Sequence, residues 1–94
     1  MLKNKTHKNG QKTYDLTNGV MTVFFKTGLV KAQGPFVDHH MEGEWMFYRN
    51  SGELWQIGHF KHNQKHGKFT RFEISGQIEK QESFVEGKPD KSGG

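Results

Sequence analysis

Gly43-Glu44-Trp45-Met46-Phe47-Tyr48-Arg49-Asn50-Ser51-Gly52-Glu53-Leu54-Trp55-Gln56-Ile57-Gly58-His59-Phe60 is the stretch that decides the fold. Two runs rich in rings and branched side chains flank Asn50-Ser51-Gly52, the punctuation of a β-hairpin, with glycine supplying the left-handed turn residue. Moved by 24 residues in either direction, the pattern returns without an insertion. Gly19, Gly43 and Gly67 fall in one column, and Gly28, Gly52 and Gly76 in another. Met21, Trp45 and Phe69 stand two residues after the first glycine, and Phe24, Tyr48 and Phe72 stand five after it. Val30, Leu54 and Ile78 share a column, as do Phe36, Phe60 and Phe84. Apolar columns held in register over three copies mark an internal repeat, in which each unit buries its apolar face on its neighbours.

The pattern predicts an all-β chain: antiparallel β-hairpin repeats of period 24, copies 19–42, 43–66 and 67–90, stacked into an elongated single-layer meander of about seven strands. First strands are expected at 20–25, 44–49 and 68–73, and second strands at 29–37, 53–61 and 77–85. Within the second strands, residues six apart such as Leu54 and Phe60 should share the inner face. The ring positions of the first strands are only three apart, which calls for a bulge or an early end to the pairing. Thr13-Tyr14-Asp15-Leu16 followed by Asn18-Gly19 reads as one extra strand with a hairpin turn. Trp45, Tyr48, Phe60, Phe69, Phe72 and Phe84, with Phe24 and Phe36, are expected to form one ladder of rings. Residues 1–10 are expected to be a flexible basic tail, 11–87 the single repeat domain and 88–94 a second flexible tail. Lys80 and Glu82, placed inward where the second copy has Gln56 and Gly58, put charge on the terminal strand, which discourages edge-to-edge association.

Composition agrees with a thin fold. Of the 94 residues, 31% are apolar and 26% charged, yet 13% are aromatic, so the core must be built from large rings rather than aliphatic bulk. With no cysteine, disulfides, thiolate nucleophiles and cysteine-ligated metals are excluded. Lys3, Lys5 and Lys8 precede no apolar signal core, and no stretch approaches the roughly 18 apolar residues of a membrane helix, so a cytoplasmic location is expected. The net charge of +4 invites nucleic acid or an anionic surface as partner. Its distribution argues against nucleic acid: residues 1–18 carry four lysines against one aspartate, whereas 19–42 are neutral, so the repeats present no basic stripe.

Gly43-Glu44-Trp45-Met46-Phe47-Tyr48, Asn50-Ser51-Gly52-Glu53-Leu54, Gly58-His59-Phe60 and Lys65-His66-Gly67-Lys68-Phe69 together resemble the MORN repeat, in the bacterial variant of proteins often described as antitoxin components of toxin–antitoxin systems. The resemblance covers about residues 19–87. It implies stacked antiparallel strand pairs serving as a protein-interaction or scaffolding surface, with lipid-headgroup binding proposed for some members, and it brings no catalytic residues. Glu82 departs from the pattern by replacing its glycine, and Lys91 replaces the next repeat's glycine, so the array is expected to stop there.

Three kinds of site are weighed against plainer explanations. His59, His62 and His66 lie close in sequence and His39-His40 are adjacent, and three imidazoles can hold zinc. However, His66 shares a column with Glu42 and Asp90, and His62 with Asp38 and Glu86, as polar turn residues would; no metal and no cofactor are expected. Ser51 and Ser75 share a column with Thr27 just before a turn glycine, a supporting place rather than a catalytic one, and Glu42 and Glu44 have nothing beside them to raise a pKa. No enzyme activity is expected. The candidate partner-binding residues are Trp55, Ile57 and Phe47. Trp55 stands where the other copies have Lys31 and Glu79, Ile57 where they have Gln33 and Gln81, and Phe47 where they have Val23 and Arg71. Alternation places Trp55 and Ile57 together on the outer face, either as a binding hot spot or as cover for the sheet. The expected function is a non-catalytic protein-binding or scaffolding module, with neutralisation of a partner protein as its most concrete form. The alternative is a peripheral membrane module binding anionic headgroups through the basic tail, and a second copy of the chain is a further candidate partner.

Overall fold

The computed structural model describes residues 12–90. Ten strands, all paired antiparallel, form one open sheet among the described residues. They are β1 Tyr14–Thr17, β2 Val20–Phe24, β3 Val30–Val37, β4 His40–Met41, β5 Gly43–Tyr48, β6 Leu54–Lys61, β7 Gln64–Lys65, β8 Gly67–Phe72, β9 Ile78–Val85 and β10 Lys88–Pro89. The seven longer strands are those the repeat predicts, each within a residue or two of its expected ends. The sheet runs β1-β2-β3-β5-β6-β8-β9-β10, with β4 folded back on β3 and β7 on β6. Its principal extents are 46 × 35 × 20 Å, the shape of an extended array.

The three copies turn identically. Arg49 N–H donates to Glu53 O and Gly52 N–H to Arg49 O, and the same two bonds recur between Phe25 and Leu29, Gly28 and Phe25, Glu73 and Gln77, and Gly76 and Glu73. Gly28, Gly52 and Gly76 have φ of 95°, 108° and 96°, which only glycine adopts without strain. Each turn leads into an irregularity: Phe47 pairs with Gln56 and Tyr48 with Leu54, so Trp55 is the extra residue of a β-bulge. Lys31 and Glu79 are the extra residues of the other copies.

This bulge corrects two expectations. It lies in the second strand, not the first, so residues six apart across it face opposite ways: Phe60 stands with Gly43 and Trp45, while Leu54 stands with Tyr48 on the other side. The rings are therefore not one ladder. Trp45, Phe47, Phe60, Phe69 and Phe84 line one side, the ring face, with centroids 5.2 to 6.4 Å apart and mostly edge-on. Phe24, Tyr48 and Phe72 lie past the bulge on the back face. Met21, Ala32, Phe36 and Trp45 form the buried cluster, against which Tyr14, Val23, Met41, Phe47 and Phe60 pack.

Between copies the strands share only short ladders, Ala32↔Phe47 with Gln33↔Met46, and Gln56↔Arg71 with Ile57↔Thr70. Side chains close these seams. Trp45, only 2% exposed, covers Gly34 of the preceding copy and donates its indole N–H to Pro35 O at 2.8 Å. Phe69 covers Gly58 in the same way, and Arg49 Nη2 donates to Phe72 O at 2.9 Å.

At the joints, two-residue turns with positive φ at Asp38-His39, His62-Asn63 and Glu86-Gly87 send the chain back as β4, β7 and β10. The last of these corrects the expected tail over 88–94, since Lys88 and Pro89 pair with Val85 and Phe84. The basic tail over 1–10 and residues 91–94 lie outside the described residues.

Candidate functional site

The residues that depart from the repeat in its central copy do not share one surface. Phe47 belongs to the ring face, its ring stacked 6.3 Å from Trp45 and tilted 6.1 Å from Phe60, so it packs against the core rather than extending an outer patch. Trp55, turned by the bulge, is half-buried and carries the Arg71 guanidinium 4.8 Å from its ring centroid. Arg71 is the strand partner of Gln56 on the ring side, so Trp55 does not stand beside Ile57 as simple alternation predicts.

Ile57 does lie on the back face, opposite the ring face, where it pairs with Met46 on one side and Thr70 on the other. Its row is informative across the array. In the first copy Gln33 Nε2 donates to Thr22 Oγ1 at 2.7 Å, and in the third Gln81 Nε2 donates to Thr70 Oγ1 at 3.2 Å. The central copy replaces this hydrogen-bonded polar rung with Met46 and Ile57, both partly exposed. Tyr48 joins them, its hydroxyl 3.5 Å from Met46 Sδ, and Leu54 stands opposite Tyr48. Met46 is the residue that sequence reasoning missed. Its signal was the column Thr22, Met46, Thr70, which reads as unremarkable until the cross-strand partner is known.

The histidines are also regrouped. His59 reaches Lys68 O through Nδ1 at 3.0 Å and Glu44 through Nε2 at 3.7 Å, while His66 Nδ1 accepts the Glu86 N–H at 3.4 Å. His62 leaves both and meets Glu42, Nδ1 to Oε2 at 2.8 Å, and His40, whose ring lies edge-on at 5.2 Å. The serines support turns: Ser51 Oγ donates to the Glu53 carboxylate, and Ser75 Oγ accepts the Gln77 N–H at 3.4 Å. A shallow depression lined by Phe24, Phe25, Lys26, Thr27, Lys31 and Asn50 lies beside the hairpin turns. No helix of the described residues is long and apolar enough to cross a membrane.

Fold and repeat together define an antiparallel hairpin-repeat protein whose central copy carries an apolar rung on the back face where the flanking copies carry hydrogen-bonded Thr–Gln rungs. No protein-family model, curated protein or solved structure matches the chain.

Proposed function

We propose that the chain is a non-catalytic protein-binding or scaffolding module that engages its partner through the back face of the central copy, and that in its most concrete form it is an antitoxin-like neutraliser of a partner protein. The resemblance of residues 19–87 to MORN repeats suggests this class. The observation that carries the reading is the Met46–Ile57 rung. The flanking Thr–Gln rungs satisfy their own hydrogen bonds and face water at no cost. An apolar rung in the same row gains only when something covers it, and Tyr48 beside it supplies the amphipathic ring that binding hot spots favour.

Affinity capture from the native host tests the reading, with the full chain as bait and Met46→Thr/Ile57→Gln as control. That pair restores the rung its neighbours already use, so the fold and its melting temperature stay near wild type while the captured partner is lost. A partner retained at wild-type level by the double variant overturns the assignment of the surface. Co-sedimentation with anionic vesicles at low and physiological salt separates this reading from headgroup binding. Attraction through exposed basic residues alone fades as salt screens it, whereas salt-resistant vesicle binding selects the membrane module.

A further inference from the structure

We propose that His40, Glu42 and His62 form a binding site for one divalent transition-metal ion of the zinc type, at the joint between the first and second copies. Each offers a ligand atom, and the three atoms lie within 4.8 Å of one another. A tetrahedral zinc ion with bonds of about 2.0–2.2 Å holds its ligand atoms roughly 3.3–3.5 Å apart. The existing group reaches that geometry by side-chain rotation: the His62–Glu42 contact of 2.8 Å opens slightly and the His40 ring, already edge-on to His62, swings in.

The backbone that carries these side chains is held firmly. His40 pairs with Val37 in β4, and Glu42 N–H donates to Pro35 O at 3.1 Å. His62 occupies the first position of its turn, with φ of 51°, and its own N–H donates to Glu42 Oε2 at 3.1 Å. Asn63 ties the two turns together: its side-chain carbonyl accepts the Met41 N–H at 2.7 Å, and its N–H donates to Met41 O at 3.1 Å. Segments more than twenty residues apart in sequence are thereby fixed side by side, which removes most of the ordering cost of gathering ligands.

The repeat supplies its own control. At the next joint the same three positions hold Gln64, His66 and Glu86. Glu86 N–H there donates to His66 Nδ1, as His62 N–H does to Glu42, so the packing of the joint needs one acceptor and not three metal ligands. The third ligand, His40, is what the first joint adds, since its counterpart Gln64 coordinates transition metals poorly. Two imidazoles and a carboxylate suit zinc and its neighbours rather than calcium or magnesium, and three ligands leave a position for water or a further donor. Bound there, the ion bridges two copies whose main strands share only a two-residue ladder.

Isothermal titration of metal-free full chain with zinc chloride tests the site. One ion per chain is expected, with binding weakened at least about tenfold by His40→Gln or by His62→Gln, as loss of one of three ligands requires, and unchanged by His66→Gln. Zinc raises the melting temperature of the wild type and not that of His62→Gln. A spectrum of histidine ring nitrogens, recorded on the wild type alone, keeps the question independent of any variant's folding: zinc shifts the His40 and His62 resonances and leaves His59 and His66 in place. Absence of binding at millimolar zinc, zinc affinity that survives His40→Gln/His62→Gln together, or shifts confined to other histidines overturns the site.

Discussion

At Gly58 a single hydrogen in place of a methyl group holds two copies together. A Cβ built there would meet the Phe69 ring at 2.2 Å, and one at Gly34 would meet the Trp45 indole at 2.3 Å. Neither glycine has a positive φ, so the demand is for space alone. Gly58→Ala is expected to destabilise the fold by about 1–3 kcal/mol, as overpacking does, lowering the melting temperature by roughly 4–8 °C for each kcal/mol in a domain of this size. The added cost shrinks in a Phe69→Leu background, where the collision is relieved, and thermal melts of the four variants of that cycle measure it. Glu53 makes a second residue-scale case. The Ser51 hydroxyl, its own backbone N–H and then Arg49 hold its carboxyl below the ordinary value of 4.5, against a small opposing effect of burial. A carboxylate whose folded pKa is depressed contributes stability that is present above its unfolded value and is lost as pH falls through the lowered one. NMR titration is expected to place Glu53 below 4.5, and Ser51→Ala to move it back upward. The other copies have Leu29 and Gln77 at this position, so the acid-sensitive turn belongs to the central hairpin.

At the scale of the element, the glycine columns predicted the hairpins because turn chemistry is local: the turn positions of Gly28, Gly52 and Gly76 require positive φ, which glycine adopts without strain whatever surrounds it. Facing was harder to read. Trp45 and Tyr48, three apart, already demanded a slip in alternation, yet the extra residue could sit on either strand of the pair. It sits at Trp55, fixed by the register in which the turn hydrogen bonds close, and side-chain pattern does not report that register. One unplaced residue moved Leu54 to the back face, brought Phe47 against the core and parted Trp55 from Ile57. The His40–Glu42–His62 group was illegible for a related reason, since its members meet through the packing of one joint turn on the next. The ring ladder itself supports a ranking. Phe60 touches Trp45, Phe47 and Phe69 and so links two copies, whereas Phe84 meets Phe69 at the end of the row, under Lys65. Truncating a buried ring costs about 3–5 kcal/mol. Phe60 is only partly buried but touches three rings across two copies, so Phe60→Ala is expected to lower the urea midpoint more than Phe84→Ala, whose ring is 8% exposed but meets one ring. Equal midpoints would contradict a stacked array.

Over the whole molecule, an open sheet must protect its two ends, and this one does so differently at each. At the start, β1 occupies the side of β2 that a preceding copy would use, pairing from Tyr14↔Val23 to Thr17↔Val20. At the finish, β9 is covered by β10 only at Val85 and Phe84. Its positions Lys80 and Gln81 correspond to Gln56 and Ile57, which pair with Arg71 and Thr70 of the following copy, so this part of the strand offers its hydrogen-bonding edge among the described residues. Two charges stand guard on the ring face there. Lys80 Nζ lies 3.4 Å from Glu82 Oε1, and Glu82 fills the place where Gly34 and Gly58 receive the ring of the next copy. The pair is exposed and adds little to stability. Its effect is to close the seat for an incoming ring and to place charge beside a bare strand. Lys80→Gln/Glu82→Gly, which gives the last copy the inward residues of the central one, is therefore expected to leave the monomer fold intact and to make it self-associate. Because the substitution changes the β9 end alone, the favoured new contact joins two β9 edges, and sedimentation velocity over a range of concentrations is expected to show more dimer in the variant than in the wild type. A variant that stays monomeric at the highest concentration would mean that β10 alone protects that end.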